Sequence, residues 1–246
     1  MARLLMILAG AVVLRMFSPA LFAQSTPIDC IVVAQYSPDT SKEQHDKGIA
    51  DNNDLMVSAK AFQAADKDSE LKEINSSATL EKAFDAWKKA KKCCKKITLF
   101  SHGNTDGSLD LPYELPKADE LRGEDRTAKG HTLGGPTTKM GWGRDRLDEF
   151  VKQVKKISCP EQTPQIAFDG CYTALEGGIA EQVAEKGIAS SGFTGFCIFV
   201  QYDEEKHETL AVTPSPKQGT SSEKKSFEPK QPKKPEKSEK QPKKDD

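Results

Sequence analysis

Two residues of this 246-residue chain have the type and setting for nucleophilic chemistry. They are His102 in "ITLFSHGNTDG" (97–107) and Cys171 in "QIAFDGCYTALEGG" (165–178). A thiol becomes a nucleophile when a nearby base or positive charge favours its thiolate. Histidine is the usual base, because its own pKa lies near neutrality. Each residue follows a short apolar run, ITLF or QIAF, too short for a helix and suited to a buried strand. Gly103 lets the backbone turn closely at His102. The backbone N–H groups of Gly103 and Cys171 are the candidate donors to a developing oxyanion. A helix expected from about Ala174 would place the positive end of its dipole beneath the thiolate. Other candidates are weaker: His131 lies in a glycine-rich stretch, and His45 and His207 read as surface residues. Asp106 reads as a solvated loop residue.

The elements that must position these groups alternate in type. "IDCIVVAQY" (28–36) is a β-branched strand run, followed by a polar loop in which Asp51, Asn52 or Asn53 is placed to cap a helix. Leu55, Ala59 and Phe62 then recur at helical spacing. "ELKEIN" (70–75) reads as a short edge strand. Leu80, Ala83, Phe84 and Trp87 mark a helix ending in lysines, which suit the negative end of its dipole. The strand ITLF follows. Leu147, Phe150, Val151 and Val154 mark another helix, and QIAF is the strand after it. Leu175, Ile179 and Val183 mark one more helix, stopped by Gly187. "FCIFVQY" (196–202) and "TLAVT" (209–213) read as late strands of hairpin type. This alternation predicts an α/β fold with a mostly parallel sheet covered by helices on both faces. In such sheets reacting groups gather at the carboxyl ends of strands, where His102 and Cys171 both fall.

The pairing of strand-"SHG" with strand-"DGC" resembles the caspase-like cysteine peptidases: caspases, metacaspases, legumains, gingipains, clostripain and separase. In element order the resemblance spans about residues 28–200, although each motif is only a few residues long. It implies a three-layer caspase-like fold, with His102 as general base and Cys171 as nucleophile. Gly103 and Cys171 would be the oxyanion donors. In metacaspases and clostripain, an acidic residue two before the cysteine selects Arg or Lys at P1; "FDGC" puts Asp169 there. A carboxylate at that place can pair bidentately with Arg. The alternative role for Asp169 is to cap the following turn. The His–Cys separation of 69 residues exceeds the ~50 of caspases. A glycine-rich insert over 104–144 would account for the difference, either as a cover for the site or as a segment cut during activation. The Q-A-C-x-G string of caspases is absent.

Charge and cysteine usage bound the rest. The chain carries 36 Lys+Arg against 37 Asp+Glu. Residues 213–246 hold ten Lys and six acidic residues, net +4, and residues 1–23 add Arg3 and Arg15, leaving −7 for 24–212. An acidic body with a basic tail argues against a folded nucleic-acid-binding surface. Arg3, the apolar run Leu4–Leu14 and Ala23 after "SPALF" read as a signal peptide over 1–23. Eleven apolar residues fall short of the ~20 that span a bilayer. The chain is therefore expected to be secreted or periplasmic, without stable membrane insertion after cleavage, or anchored if the signal stays uncut. The domain is expected over 24–212, followed by a disordered Lys/Pro-rich tail over 213–246.

Cys30, Cys93, Cys94, Cys159, Cys171 and Cys197 all lie beyond the signal. No C-x-x-C pair or zinc-type spacing occurs, so neither a metal nor another cofactor is expected. A free Cys171 leaves an odd five, so at least one more thiol stays unpaired. Cys94 and Cys159 are either a structural disulfide or free thiols at helix ends. The leading expectation is an exported cysteine endopeptidase acting on peptide or protein substrates, cleaving after Arg or Lys. The alternative is a catalytically inactive caspase-like binding or accessory module. An esterase is disfavoured because no G-x-S-x-G or G-x-C-x-G elbow occurs.

Overall fold

The computed structural model describes residues 25–75, 79–112, 131–133, 142–203, 208–212 and 222–230; over 131–133, 142–146, 198–203 and 208–212 the description is of the backbone. The signal segment, most of the glycine-rich insert, His207 and most of the Lys/Pro-rich tail lie outside these residues.

Continuous β-branched and apolar runs build the centre of a six-stranded sheet. Its strands are β1 (Thr26–Ala34), β2 (Ser69–Ile74), β3 (Lys92–Phe100), β6 (Gln165–Asp169), β7 (Ala189–Phe193) and β10 (Lys224–Phe227). Their order is β10-β7-β6-β3-β1-β2, parallel except for β10. Alternate side chains serve opposite faces, as pleating requires. Cys30, Val32, Ile97, Leu99, Ile166 and Phe168 face one core. There they meet helices α3 (Leu80–Lys89), α4 (Trp142–Ile157) and α5 (Ile179–Glu185). Ile31, Val33 and Phe100 face the other, against Leu55, Ala59 and Phe62 of α2 (Asn52–Ala65). The hairpin of β8 (Ile198–Asp203) and β9 (Glu208–Val212) lies beside α2. The three-layer α/β arrangement with a mostly parallel sheet is thus present.

Local signals explain where α2 begins. Asp51 accepts hydrogen bonds from the N–H groups of Asn53 and Asp54, and Asp54 reaches back to the Asp51 N–H. This capping box leaves Asn52 free for another task. Its amide accepts from Tyr36 N–H at 2.8 Å and donates to Tyr36 O at 2.8 Å, clasping the chain just beyond β1.

Five elements depart from the sequence expectation. The polar loop after β1 contains a helix, α1 (Pro38–Asp46), with Ser37 as N-cap and no buried residue, so no apolar period announces it. The insert contains a small antiparallel pair, β4 (Leu109–Leu111) and β5 (His131–Leu133). β7 is a strand of Ala, Ser and Gly rather than an apolar run. β10 lies inside the stretch expected to be a disordered tail and completes the sheet edge, so the domain extends past residue 212. Edge strands tolerate charged residues, and a lysine-rich "KKSF" is accommodated there.

Two disulfides tie the sheet together: Cys30–Cys94 joins β1 to β3, and Cys93–Cys159 joins β3 to the turn after α4. The considered Cys94–Cys159 pairing is therefore replaced. Cys93 and Cys94 are neighbours on one strand and point to opposite faces, so only one of them can reach Cys159.

Candidate functional site

β3 and β6 are adjacent and parallel, with Phe100 opposite Asp169. Their carboxyl ends therefore deliver Ser101-His102-Gly103 and Gly170-Cys171 to one rim of the sheet. The two turns touch through their backbones. A Cβ on Gly103 would lie 1.8 Å from Cys171 O, and one on Gly170 would lie 2.7 Å from Ser101 O. Both glycines exist because main chain meets main chain here, a stronger demand than turning alone. Gly103→Ala is expected to cost roughly 3 kcal/mol in a urea titration, at the severe end of overpacking, since backbone cannot rotate away.

His102 is held on several sides. Its backbone N–H donates to Tyr36 Oη at 3.2 Å, and its carbonyl accepts from Asp110 N–H at 2.8 Å. The Tyr36 ring lies 5.0 Å from the imidazole, centre to centre. Burial pushes the imidazole pKa down to about 4, opposed by a hydrogen bond with the Ala50 backbone. At neutral pH His102 is therefore an uncharged base. Its Nε2 atom is buried and has no hydrogen-bond partner among the described residues.

This shift has a consequence for stability. Between about pH 6.5 and about pH 4 the unfolded chain binds a proton at this position that the folded chain refuses. Stability therefore falls as pH drops through that window, by roughly 3 kcal/mol at its acid end. Urea titrations at several pH values should show the slope, and His102→Phe should remove this part of it.

Cys171 is buried, and its sulfur points toward a residue that the sequence reading left aside. Cys171 Sγ lies 3.0 Å from Cys197 Sγ, 3.0 Å from Cys197 N and 3.1 Å from Cys197 O. As a thiol it donates to that carbonyl; as a thiolate it accepts from the N–H and S–H. The S–H of Cys197 lowers the Cys171 pKa most; burial opposes this, and the backbone N–H groups of Cys197 and Cys171 lower it further. The Cys197 thiol is driven up by the same hydrogen bond, by its burial, and by negative charge on Cys171 and Asp169. No hydrogen bond joins His102 to Cys171 among the described residues. In this structure the hydrogen-bonding groups around the Cys171 sulfur are those of Cys197. The signal that could have found Cys197 was the odd thiol left once Cys171 is reserved.

The helix dipole expected beneath the thiolate is also absent. Residues 171–178 form turns, α5 starts only at Ile179, and Ala174 N–H bonds instead to Phe193 O at 2.9 Å. Tyr172, directly after the cysteine, adopts a left-handed conformation (φ +59°), which sets the chain's sharp exit from β6.

Asp169 does not cap the turn. It is fully buried and neither carboxylate oxygen accepts a hydrogen bond among the described residues. Its counter-charge is Lys224 of β10, with Nζ 3.7 Å from Oδ1. Of the remaining candidates, Asp106 shapes its own turn by accepting from Ser108 N–H and Oγ–H. His45 is an exposed residue of α1 near Asp51, and the backbone of His131, in β5, pairs with Leu111 of β4. A 390 Å³ cavity lies at the opposite, amino-terminal end of β6 and β7, lined by residues such as Gln165, Ser190 and Phe227.

No protein-family model matches the chain, and no curated protein matches it.

Proposed function

We propose that the chain is an exported thiol endopeptidase that cleaves peptides after Lys or Arg. The observation that carries this reading is the convergence of His102 and Cys171 on one rim, from adjacent parallel strands, with thiolate-favouring groups around the sulfur. Cys171 would attack the scissile carbonyl to give a thioester, with the backbone N–H groups of Gly103 and Cys171 as donors to the oxyanion. The uncharged His102 would take the thiol proton and return it to the leaving amine, after which water releases the acyl group. The missing His102–Cys171 hydrogen bond requires a rotation of the cysteine side chain away from Cys197 before attack. Such bonds commonly tighten only when substrate is bound.

Asp169 would receive the P1 cation, and Lys224 holds the place of that charge in the resting protein. A set of peptides differing only at P1 checks this. Lys and Arg should be cleaved at least about 30-fold better than Asp, and Asp169→Asn should erase most of that margin. No preference for a basic P1 would remove the assignment. Export is supported by the two disulfides, which suit an oxidising compartment. No helix among the described residues is long and apolar enough to cross a membrane.

The same features leave a second reading in play. A sulfur turned from the histidine, and a carboxylate covered by the chain's own lysine, also suit a non-catalytic binding module on this scaffold. Turnover of any basic-P1 peptide that depends on Cys171 separates the two.

A further inference from the structure

Four of the six cysteines are paired in disulfides, and the two that remain free sit against each other at the rim of the sheet. Cys171 and Cys197 are 26 residues apart in sequence, yet their sulfurs are 3.0 Å apart. A disulfide needs about 2.05 Å between sulfurs, so closing the gap asks for side-chain rotation rather than movement of a strand. The backbone on both sides is already fixed. Tyr172 N–H bonds to Gly195 O at 2.9 Å, and Cys197 N–H bonds to the Cys171 sulfur at 3.0 Å. The pair is therefore held together by the fold and does not wait for a chance encounter.

We propose that Cys171 and Cys197 are a reversible dithiol–disulfide pair, a modification site that removes the reactive thiol from use when it is oxidised. The oxidant is a low-molecular-weight disulfide. The Cys171 thiolate attacks one of its sulfurs, forming a mixed disulfide and releasing one thiolate. Cys197 then gives up its proton to solvent, attacks the Cys171 sulfur and expels the second thiolate. Two electrons pass from the protein pair to the reagent, one S–S bond replaces another, and a small-molecule dithiol reverses the exchange. The division of labour follows from the surroundings: Cys171 is the sulfur whose thiolate is favoured, and Cys197 holds the proton until the second step. Asp169 lies close enough to Cys197 to disfavour its thiolate, which keeps the resolving sulfur protonated while the pair is reduced.

This pairing stands on the sulfur geometry and does not require that peptides be cleaved. The test uses the full chain, equilibrated in glutathione buffers from fully reduced to fully oxidised. Samples are quenched in acid, alkylated with N-ethylmaleimide and mapped by peptide mass spectrometry. Cys171 and Cys197 are expected to lose alkylation together as oxidised glutathione rises, and to regain it together on reduction. The other four cysteines should stay blocked throughout. In Cys197→Ser, Cys171 should instead accumulate as a mixed disulfide with glutathione. The proposal is overturned if both thiols remain alkylable in fully oxidised buffer. It is equally overturned if the bond, once formed, resists reduction until Cys30–Cys94 and Cys93–Cys159 open too, because that is a third structural crosslink. A chain that switches in this way yet cleaves no peptide in reduced buffer refutes the peptidase reading alone.

Discussion

Cys171→Ala is expected to abolish cleavage of a lysyl peptide, lowering kcat/KM by roughly 10⁴-fold or more, the scale on which removing a covalent nucleophile acts. The loss should fall in kcat, because the substrate contacts assigned to Asp169 and the backbone donors survive. Stability should change less by comparison, since the substitution removes a single sulfur atom from the core cluster that holds Phe100 and Phe193. Cys171→Ser is informative in a different way. A hydroxyl retains the size and the proton, but it lacks the readily ionised sulfur whose pKa the Cys197 groups lower. Its activity should therefore fall nearly as far. His102→Ala should cost less, roughly 10²- to 10⁴-fold, as befits a general base. The measurement is steady-state cleavage of one peptide under reducing conditions mild enough to spare the two disulfides. Comparable rates for Cys171→Ala and wild type would remove the peptidase reading.

The second large effect concerns stability. Cys30–Cys94 and Cys93–Cys159 span sequence separations of 64 and 66 residues. Loops of that size give about 4 kcal/mol each on the chain-entropy account. A domain usually holds only about 5–15 kcal/mol in total. Reduction of both bonds should therefore leave the protein marginal or unfolded near 37 °C. Cys93→Ala/Cys159→Ala and Cys30→Ala/Cys94→Ala should each shift the urea midpoint strongly downward. The first pair joins β3 to the end of α4, so its loss should also weaken the seating of α4. The second lies wholly within the sheet core beside Val32 and Leu99, and its removal adds lost packing. Unchanged urea midpoints after reduction would mean that the bridges contribute nothing to folding.

How much of this was visible in the chain itself varies by element, for physical reasons. β1, β3 and β6 are covered on both faces toward their carboxyl ends, so the runs IVVA, ITLF and QIAF stand out there. α3 and α4 carry one apolar stripe and a lysine-rich end, the pattern a surface helix requires. β7 could not be read because crowding demands small residues there. A Cβ on Gly192 would lie 2.3 Å from Thr173 Oγ1, and Ser190 donates its hydroxyl to Ala180 O. Its "ASSGF" therefore looks like a loop. β10 hides for the opposite reason: an exposed edge places no demand for apolar residues.

The site shows the same division. The positions of His102 and Gly103 just beyond β3, and of Asp169 and Cys171 at the end of β6, were legible because both strands carry strong apolar runs. Cys197 was not, because nothing local in "GFCIF" says that its sulfur will meet Cys171. That meeting depends on how the chain returns after β7. Lys224 was hidden likewise, since a lysine in a lysine-rich segment carries no mark of pairing with a buried carboxylate.

The most direct test is to treat the reduced, disulfide-intact chain with a peptidyl-lysyl chloromethyl ketone and locate the adduct by mass spectrometry. A single adduct on Cys171, absent in Cys171→Ser, slowed in His102→Ala and blocked by prior oxidation of the pair, is the expected result. An adduct on Cys197 instead, or none on the folded protein while both thiols label after denaturation, would contradict a reactive thiol at this rim.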